Sequence, residues 1–142
     1  LVVLERIEAG TLGPDHEVTR PVADPDDVIW LQELTKRVYV DPAIKRYIVA
    51  LVQATRNARQ LLGPETGSYV EIGASPRASI AFLQASRAAA LLLGRSYVTP
   101  EDVRELRHSI LRHRLHLSFE ALAEKVQPEM LVASLVRAVP SP

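Results

Sequence analysis

The chain has 142 residues, of which 47% are apolar and 5% aromatic, so it is long enough for one domain with a core of its own. Its 17 Lys and Arg residues balance 17 Asp and Glu residues, and this lack of net charge argues against a nucleic-acid partner. It has no cysteine and no apolar run near the ~18 residues of a membrane span, which excludes a disulfide framework and leads us to expect a cytoplasmic protein.

The first 23 residues are predicted to stand apart from the domain that follows. LVVLERIEAG has the pattern of a helix end whose beginning lies elsewhere, and residues 9–23 have the Gly, Pro and charge of a connector. The sequence starts at Leu1 instead of Met and contains no GxxxxGK[ST] phosphate-binding loop. We therefore expect a C-terminal fragment of a longer protein, with the domain proper at 24–142.

Two helices are predicted next, each opened by an Asp-Pro pair. Asp24 is suited to cap a helix over residues 24–38, and Asp41 repeats the device. In the second helix the apolar positions recur at i, i+3, i+4 and i+7 from Ile44 to Leu62, so one face is predicted to be core. We expect this helix to end at Gly63.

A long apolar helix is predicted to follow a loop and a short strand. The strand covers Tyr69 to Ile72, and the helix runs from Pro76 to Gly94. Because this helix is apolar almost all round, we expect it to be the central helix of the domain. Phe82 and Leu92 are assigned to one buried stripe, and Arg87 is assigned to the polar edge.

The last third of the chain supplies further helices. Thr99 and Asp102 form a capping box before a helix to about His113, and a last helix is predicted over residues 128–139. The segment between them, 119–126, has helical spacing but is short. Together these elements predict an all-α fold, a small bundle of about five or six helices.

The start of the central helix is the most informative segment. Ser75 is a good N-cap and Pro76 a good first residue, which places Arg77 in the first turn. A cation there is unfavourable, because that end of a helix carries unpaired N–H groups and a partial positive charge. An anion would reverse the effect, and phosphate is the usual ligand of a helix N-terminus. We therefore predict that Arg77 contacts a phosphate group.

Arg77 also has structural alternatives. It could be a solvated first-turn arginine, or it could pair with Glu65 or Glu71 in the preceding loop. Ser75 is assigned first as the cap and second as a further contact to the phosphate-bearing ligand. Gly73 is assigned as the residue that permits the turn.

The same residues carry a family resemblance. GASPRASIAFLQASRAAALLLGRSYVTPEDV resembles the second sensor motif and following helices of MoxR-like AAA+ ATPases, in the lid domain after their nucleotide-binding core. The likeness continues upstream through ADPDDVIWLQELTKRVYVDPAIKRYIVALVQATR and downstream through ILRHRL to the terminal VPSP. It implies an AAA+ lid at 24–142 and makes residues 1–23 the tail of the core and its connector.

The resemblance implies a function for Arg77. In such proteins the matching arginine reaches the γ-phosphate of ATP, which makes Arg77 a catalytic and ATP-binding residue and Ser75 a second ATP-binding candidate. ATP and Mg²⁺ would bind the full-length protein, an ATP hydrolase. Neither is expected on this chain alone, which should be inactive, because the family's Walker A loop, Walker B acids, first sensor and arginine finger have no counterpart here.

For the whole protein, the resemblance implies a homo-hexameric ring with chaperone-like activity. Such a ring would remodel a protein client or mature a metalloenzyme, and the lid's partner would be the AAA+ core of the same protein. The alternative left open is a free-standing helical module that binds a protein partner without nucleotide. A P-loop core encoded upstream would discriminate between the two.

A basic stripe near residue 110 has several further interpretations. Its members are Arg104, Arg107, His108, Arg112, His113 and Arg114. Zinc sites usually combine three or four convergent ligands that include Cys or carboxylate, whereas these histidines, with His116, are interleaved with arginines that would oppose a divalent ion, so no metal site is predicted. Nearby acids and the lack of base-reading aromatic side chains disfavour nucleic acid. A solvated face with intrahelical ion pairs is favoured, and a contact to a neighbouring subunit stays open.

Overall fold

The computed structural model describes residues 1–10 and 21–142. Within them the chain forms ten helices: α1 Val2–Glu8, α2 Pro25–Lys36, α3 Pro42–Arg56, α4 Ala58–Leu62, α5 Pro64–Ser68, α6 Arg77–Leu92, α7 Pro100–Glu105, α8 Arg107–Leu111, α9 Phe119–Ala123 and α10 Pro128–Ala138. One two-stranded sheet pairs β1 Val70–Ile72 with β2 His116–Leu117. The predicted helical fold is confirmed, although the helices outnumber the expected five or six.

The described chain divides into two compact units, residues 1–32 and 33–142. The first unit holds α1 and the larger part of α2, and neither helix has a buried residue. The second unit contains α3 to α10 and the sheet. The predicted connector at 9–23 lies largely outside the described residues, so it stays a prediction.

Side-chain hydrogen bonds start three helices where capping residues were predicted. Asp24 and Asp27 exchange hydrogen bonds, each backbone N–H donating to the other's carboxylate at 2.9 Å. Asp41 Oδ1 accepts from the amide two residues later at 2.7 Å, and Thr99 forms a capping box with Asp102. These bonds satisfy amides that a helix start leaves without intrahelical partners.

Two predicted helices are each broken into two. The first stops before Leu62, because Asn57 leaves the helical conformation with φ −111° and ψ 30°, and α4 restarts at Ala58. The second is interrupted at Leu106, between α7 and α8. The apolar spacing continues through both breaks, since Ala58 and Ile110 are buried, and it therefore gives no sign of them. Helix α5, in the predicted loop, adds to the count.

The core is centred on α3, and the prediction that α6 is the central helix is wrong. Helix α3 packs mainly against α4, α6, α7, α10 and β1, whereas α6 packs mainly against α3, α7 and α8. The buried residues of α6 recur at every fourth position: Ala78, Phe82, Ser86 and Ala90. Leu92 is 87% exposed, because it lies about 160° around the helix from the buried Ala90, the nearest member of this series. Its assignment to the buried stripe was therefore wrong.

Arg87 lies closer to the core than its position in the sequence pattern suggests. Its side chain is half-buried, and its Nε donates to the carbonyl oxygen of Val38 at 3.1 Å. This bond joins α6 to the segment that precedes α3. Arg87 is therefore a long-range structural contact rather than a residue of the polar edge.

Helix α6 ends at Leu92, and Gly94 forms the turn that terminates it, at the predicted position. Gly94 has a φ of 71°, and the N–H groups of Gly94 and Arg95 donate to the carbonyl oxygens of Leu91 and Ala90 at 2.9 and 2.8 Å. This is the Schellman pattern of a glycine-terminated helix. The turn is followed by an ion pair, in which the Arg95 guanidinium binds both carboxylate oxygens of Asp102, at 2.8 and 2.5 Å.

The Asp102 carboxylate joins the end of α6 to the start of α7. It is 3% exposed and accepts hydrogen bonds from Arg95 and from the backbone N–H of Thr99. Burial alone would raise the pKa of Asp102, but these hydrogen bonds outweigh it and hold the pKa below its ordinary value. The stabilisation from Asp102 is therefore present above the unfolded-state pKa of about 4, and is lost as pH falls through the lower folded-state pKa.

Asp102→Asn should lower the free energy of unfolding at neutral pH by about 1–3 kcal/mol, because a neutral amide cannot replace the charge-assisted bonds to Arg95. Urea unfolding of the original chain and of this variant near pH 7 and near pH 3 measures this, and the difference should shrink at the lower pH. Glu101→Gln, at the exposed neighbouring residue, should change stability little. A stability difference between the original chain and the Asp102→Asn variant that is independent of pH would contradict the assignment.

The predicted strand at Tyr69 to Ile72 is confirmed as β1, which begins one residue later. It pairs antiparallel with β2, where Val70 lies opposite Leu117 and Ile72 opposite His116, with an irregularity between the two pairs. The partner strand is distant in the sequence and was not predicted. The pairing fixes the point from which the chain continues toward α6.

Candidate functional site

The segment between β1 and α6 is held against the C-terminal end of α3. The backbone N–H of Ala74, a fully buried residue, donates to Thr55 Oγ1 at 2.9 Å. The Thr55 hydroxyl donates in turn to the carbonyl oxygen of Val52 at 2.6 Å. We call residues 73–76 the sensor loop.

Gly73 is needed for this close approach and not for the turn that was predicted. Its φ lies outside the left-handed region. A Cβ on Gly73 would lie 2.4 Å from the carbonyl oxygen of Thr55 and 2.6 Å from the amide nitrogen of Arg56. No side chain fits there unless α3 or the sensor loop moves.

The start of α6 differs from the prediction by one residue. Helix α6 begins at Arg77, Pro76 occupies the N-cap position, and no side chain caps it. Instead, the Ala78 N–H donates to the Ser75 carbonyl oxygen at 2.9 Å, and the Ser79 N–H donates to that of Pro76 at 3.0 Å. The predicted Ser75 cap is wrong, because this tight backbone turn already takes the Ala78 amide that the Ser75 hydroxyl would bind.

Arg77 extends from this helix start with no side-chain partner among residues 1–10 and 21–142. Ala78 is fully buried, whereas residues 75–77 are all exposed. In the part of the chain that the structure describes, the Arg77 side chain makes neither a salt bridge nor a hydrogen bond. The alternative pairs with Glu65 and Glu71 are therefore not formed.

An unpaired guanidinium at a helix start is suited to bind an anion from outside the domain. Its planar fork of N–H donors matches two oxygens of a phosphate group. The backbone N–H of Arg77 has no acceptor among the described residues, and the Ser75 hydroxyl caps no amide. Both groups can therefore add donors beside the guanidinium, and the other ligands of the anion would have to come from beyond the sensor loop.

Residues 65–135, which include the sensor loop, match the AAA lid domain family. The matched segment is half of the chain. The chain belongs to the AAA lid domain family.

The lid is similar to curated MoxR proteins. It is 38% identical to Chaperone MoxR1 of Mycobacterium tuberculosis, over 98% of this chain and 40% of that protein. It is 30% identical to Protein MoxR of Methylorubrum extorquens, over 97% of this chain and 39% of that protein. The resemblance to the lid of MoxR-like AAA+ ATPases is therefore confirmed, and the chain spans about two fifths of these relatives.

A solved structure has the same fold as the lid. A candidate ATPase from Cytophaga hutchinsonii matches with a TM-score of 0.84 at 28% identity, over 99% of this chain and 42% of that protein. The AAA+ lid type predicted for the fold is therefore confirmed.

The lid has a polar groove of about 870 Å³ beside the sensor loop. Arg56 and Arg59 line it from α3 and α4, Glu71 lines it from β1, and Phe119 and Glu120 line it from α9. Phe119 is 81% exposed. Sequence reasoning missed this groove because its lining comes from three segments that only the fold brings together.

Charges in the polar groove are balanced. Hydrogen bonds from its own backbone amide and from Ser118 lower the pKa of Glu120, and the charge of Arg59 adds to the effect. The groove therefore carries carboxylates beside its two arginines, and its electrostatics do not select an anion. Of the features around the sensor loop, Arg77 remains the one suited to phosphate.

The basic stripe of the lid is partly neutralised by ion pairs. Arg104 pairs with Glu101 one turn away on α7, as expected for a solvated helix face. Arg112 lies 3.7 Å from Glu129 of α10, which is a contact between helices. These pairs leave less free positive charge than the sequence suggests.

Residues 1–10 and 21–142 contain neither a cluster of metal ligands nor a membrane-spanning helix. No group of three or more His, Cys, Asp or Glu side chains there could hold a metal ion. His113 Nε2 lies 2.6 Å from an Arg114 Nη1, a cation that opposes a divalent ion. In the same residues no helix is both long and apolar enough to cross a membrane.

Proposed function

We propose that this lid senses nucleotide in a longer MoxR-like AAA+ ATPase, where Arg77 contacts the γ-phosphate of ATP bound to the core. The observation that carries the proposal is Arg77 itself, which is exposed, has no partner among the described residues, and starts α6 directly after an anchored loop. It lies within the segment that matches the AAA lid domain family.

The residues present fit one side of a nucleotide site. ATP would supply the phosphoryl group that the core transfers to water, with Mg²⁺ held there. The lid contributes the Arg77 guanidinium, a delocalised charge with a planar fork of donors, and the Ser75 hydroxyl as a second donor. The chain contains no P-loop sequence, so it should hold ATP only weakly by itself.

Arg77 can bias the position of the lid only through a difference in affinity between nucleotides. A contact to the γ-phosphate forms with ATP and not with ADP, so ATP favours the closed arrangement by the free energy of that contact. Hydrogen bonds to charged groups contribute about 1.5–3 kcal/mol, which shifts such an equilibrium roughly ten- to hundredfold.

For the whole protein, we extend the proposal to chaperone-like remodelling of a protein client, with metalloenzyme maturation as one such activity. The assembly would be a homo-hexameric ring in the cytoplasm, and the lid's partner would be the AAA+ core of the same protein. One curated relative is named a chaperone, which supports the remodelling role. The relatives extend well beyond this chain, which leaves room for such a core.

The isolated 142-residue chain should fold as a helical monomer and release no phosphate from ATP, because it lacks the residues that bind Mg²⁺ and the phosphates in P-loop ATPases. A coupled phosphate-release assay on the chain and on the full-length protein, prepared identically, measures this. Turnover by the chain that survives repurification would contradict the proposal, and so would a full-length protein without ATPase activity.

A further inference from the structure

A second groove, of about 410 Å³, lies between α3, the α7–α8 region and the end of α10. Three arginines line it, Arg104 and Arg107 on one side and Arg137 on the other. Among the residues that the structure describes, no Asp or Glu lines it. We call it the arginine groove.

Two of the three guanidinium groups are not neutralised. Arg104 pairs with Glu101, but Arg107 only donates to the carbonyl oxygen of Arg104, at 2.7 Å. Arg137 is exposed and has no hydrogen bond or salt bridge to any described residue. Arg112 differs, because it has Glu129 beside it and does not line the groove. The arginine groove therefore has a positive charge that the described residues leave uncompensated.

The rest of the lining is largely apolar. Val136, Val139 and Ala133 contribute aliphatic surface from α10 and its end, and Tyr47 contributes its ring from α3. Burial raises the pKa of Tyr47, although Arg104 and Arg107 oppose the effect, so its hydroxyl stays neutral near pH 7. A ligand that fits must match both an aliphatic surface and an arginine rim.

We propose that the arginine groove binds a short peptide segment of a partner protein in which carboxylate side chains alternate with apolar ones. Its volume lies within the roughly 300–1,000 Å³ of ligand sites, and arginines on two sides suit a chain that runs between them. A lone inorganic anion would leave the aliphatic surface in water, and a purely apolar helix would leave the arginines unpaired. The proposal does not depend on nucleotide sensing by Arg77.

Fluorescence anisotropy of the 142-residue chain with a labelled, end-capped peptide of alternating Glu and Leu tests this proposal. Matched peptides replace every Glu by Gln or every Leu by Ser, and a labelled single-stranded oligonucleotide is the competing polyanion. We expect saturable binding of the Glu-Leu peptide at low salt, weaker by about fivefold or more for each matched peptide. Tighter binding of the oligonucleotide, or no binding of the peptide at about 1 mM protein, would overturn the proposal.

Substitutions then locate the binding site. Arg137→Ala changes an exposed residue, so it should not unfold the chain. It should lower the affinity for the Glu-Leu peptide about fivefold or more. Arg107→Ala should act in the same direction, and Arg112→Ala, outside the groove, should leave the affinity within about twofold. Amide shifts on peptide addition should fall on α7, α8 and α10. Equal weakening by Arg112→Ala and Arg137→Ala, or shifts confined elsewhere, would place the peptide outside the groove and refute the assignment.

Discussion

Replacing Arg77 by Ala in the full-length ATPase should slow ATP hydrolysis by about 10²–10³-fold, the usual cost of removing one preorganised donor at a reacting group. The guanidinium is exposed and unpaired within the described chain, so its charge is free to face a phosphate. Steady-state phosphate release at saturating ATP measures the effect. The same change in the isolated chain should leave its stability unaltered or slightly raised, because a first-turn cation opposes the helix dipole.

Three comparisons separate a phosphate contact from general damage. Arg77→Lys should restore little activity, because an ammonium lacks the planar fork of donors. Arg46→Ala, at another exposed arginine, should retain nearly full activity. Arg77→Ala should weaken ATP binding more than ADP binding. Equal weakening of the two nucleotides, or unchanged turnover, would show that Arg77 is an ordinary surface arginine.

Phe82→Ala should lower the free energy of unfolding by about 3–5 kcal/mol, a large share of the 5–15 kcal/mol typical of a domain. Phe82 is fully buried, and it lies on the face of α6 that packs against its neighbours. Truncation of Phe82 would therefore remove buried apolar surface and also leave a cavity. Urea unfolding of the isolated chain, followed by circular dichroism, measures the loss.

Leu92→Ala is the matched control for Phe82→Ala. Both residues belong to α6, but Leu92 is 87% exposed, so its truncation should change stability by under about 0.5 kcal/mol. Arg87 would be a poor control, because its Nε bonds to the Val38 carbonyl. Equal losses from the Phe82 and Leu92 variants would show that the core lies on another face of α6.

Local signals in the sequence were enough to predict several of the helix ends. Asp41 and Thr99 cap helix starts with their side chains, and Gly94 terminates α6 because glycine adopts a positive φ without strain. Such capping depends only on residues within one or two turns. The buried face of α3 follows from apolar spacing for the same reason. Each of these features is determined by a short stretch of chain, so a short stretch of sequence reveals it.

Features that depend on distant segments could not be predicted. The breaks at Asn57 and Leu106 leave the apolar spacing intact, and the exposure of Leu92 depends on which helices reach the end of α6. Strand β1 was predicted, but its partner β2 was not, because antiparallel pairing over a long loop has no local pattern. The central position of α3 likewise emerges only from packing.

The sequence predicted the position of Arg77, but it predicted neither the hydrogen bonds around Arg77 nor the arginine groove. The motif placed Arg77 at the start of α6, and the structure confirms that position. The Ser75 cap fails because a backbone turn takes the Ala78 amide, which residue preferences alone do not reveal. The arginine groove was missed since Arg137 comes from a helix far along the chain from Arg104 and Arg107.

The missing Cβ of Gly73 also determines how the sensor loop can move. Backbone atoms of the loop and of α3 are in direct contact there, and Ala74 is bonded to Thr55 just beyond. The first contact joins backbone to backbone, and the second is made to the Thr55 hydroxyl, which is buried and held by its own bond to the Val52 carbonyl oxygen. We therefore expect a pull on the start of α6 to reach α3 directly, and through α3 the helices α4, α7 and α10 that pack against it.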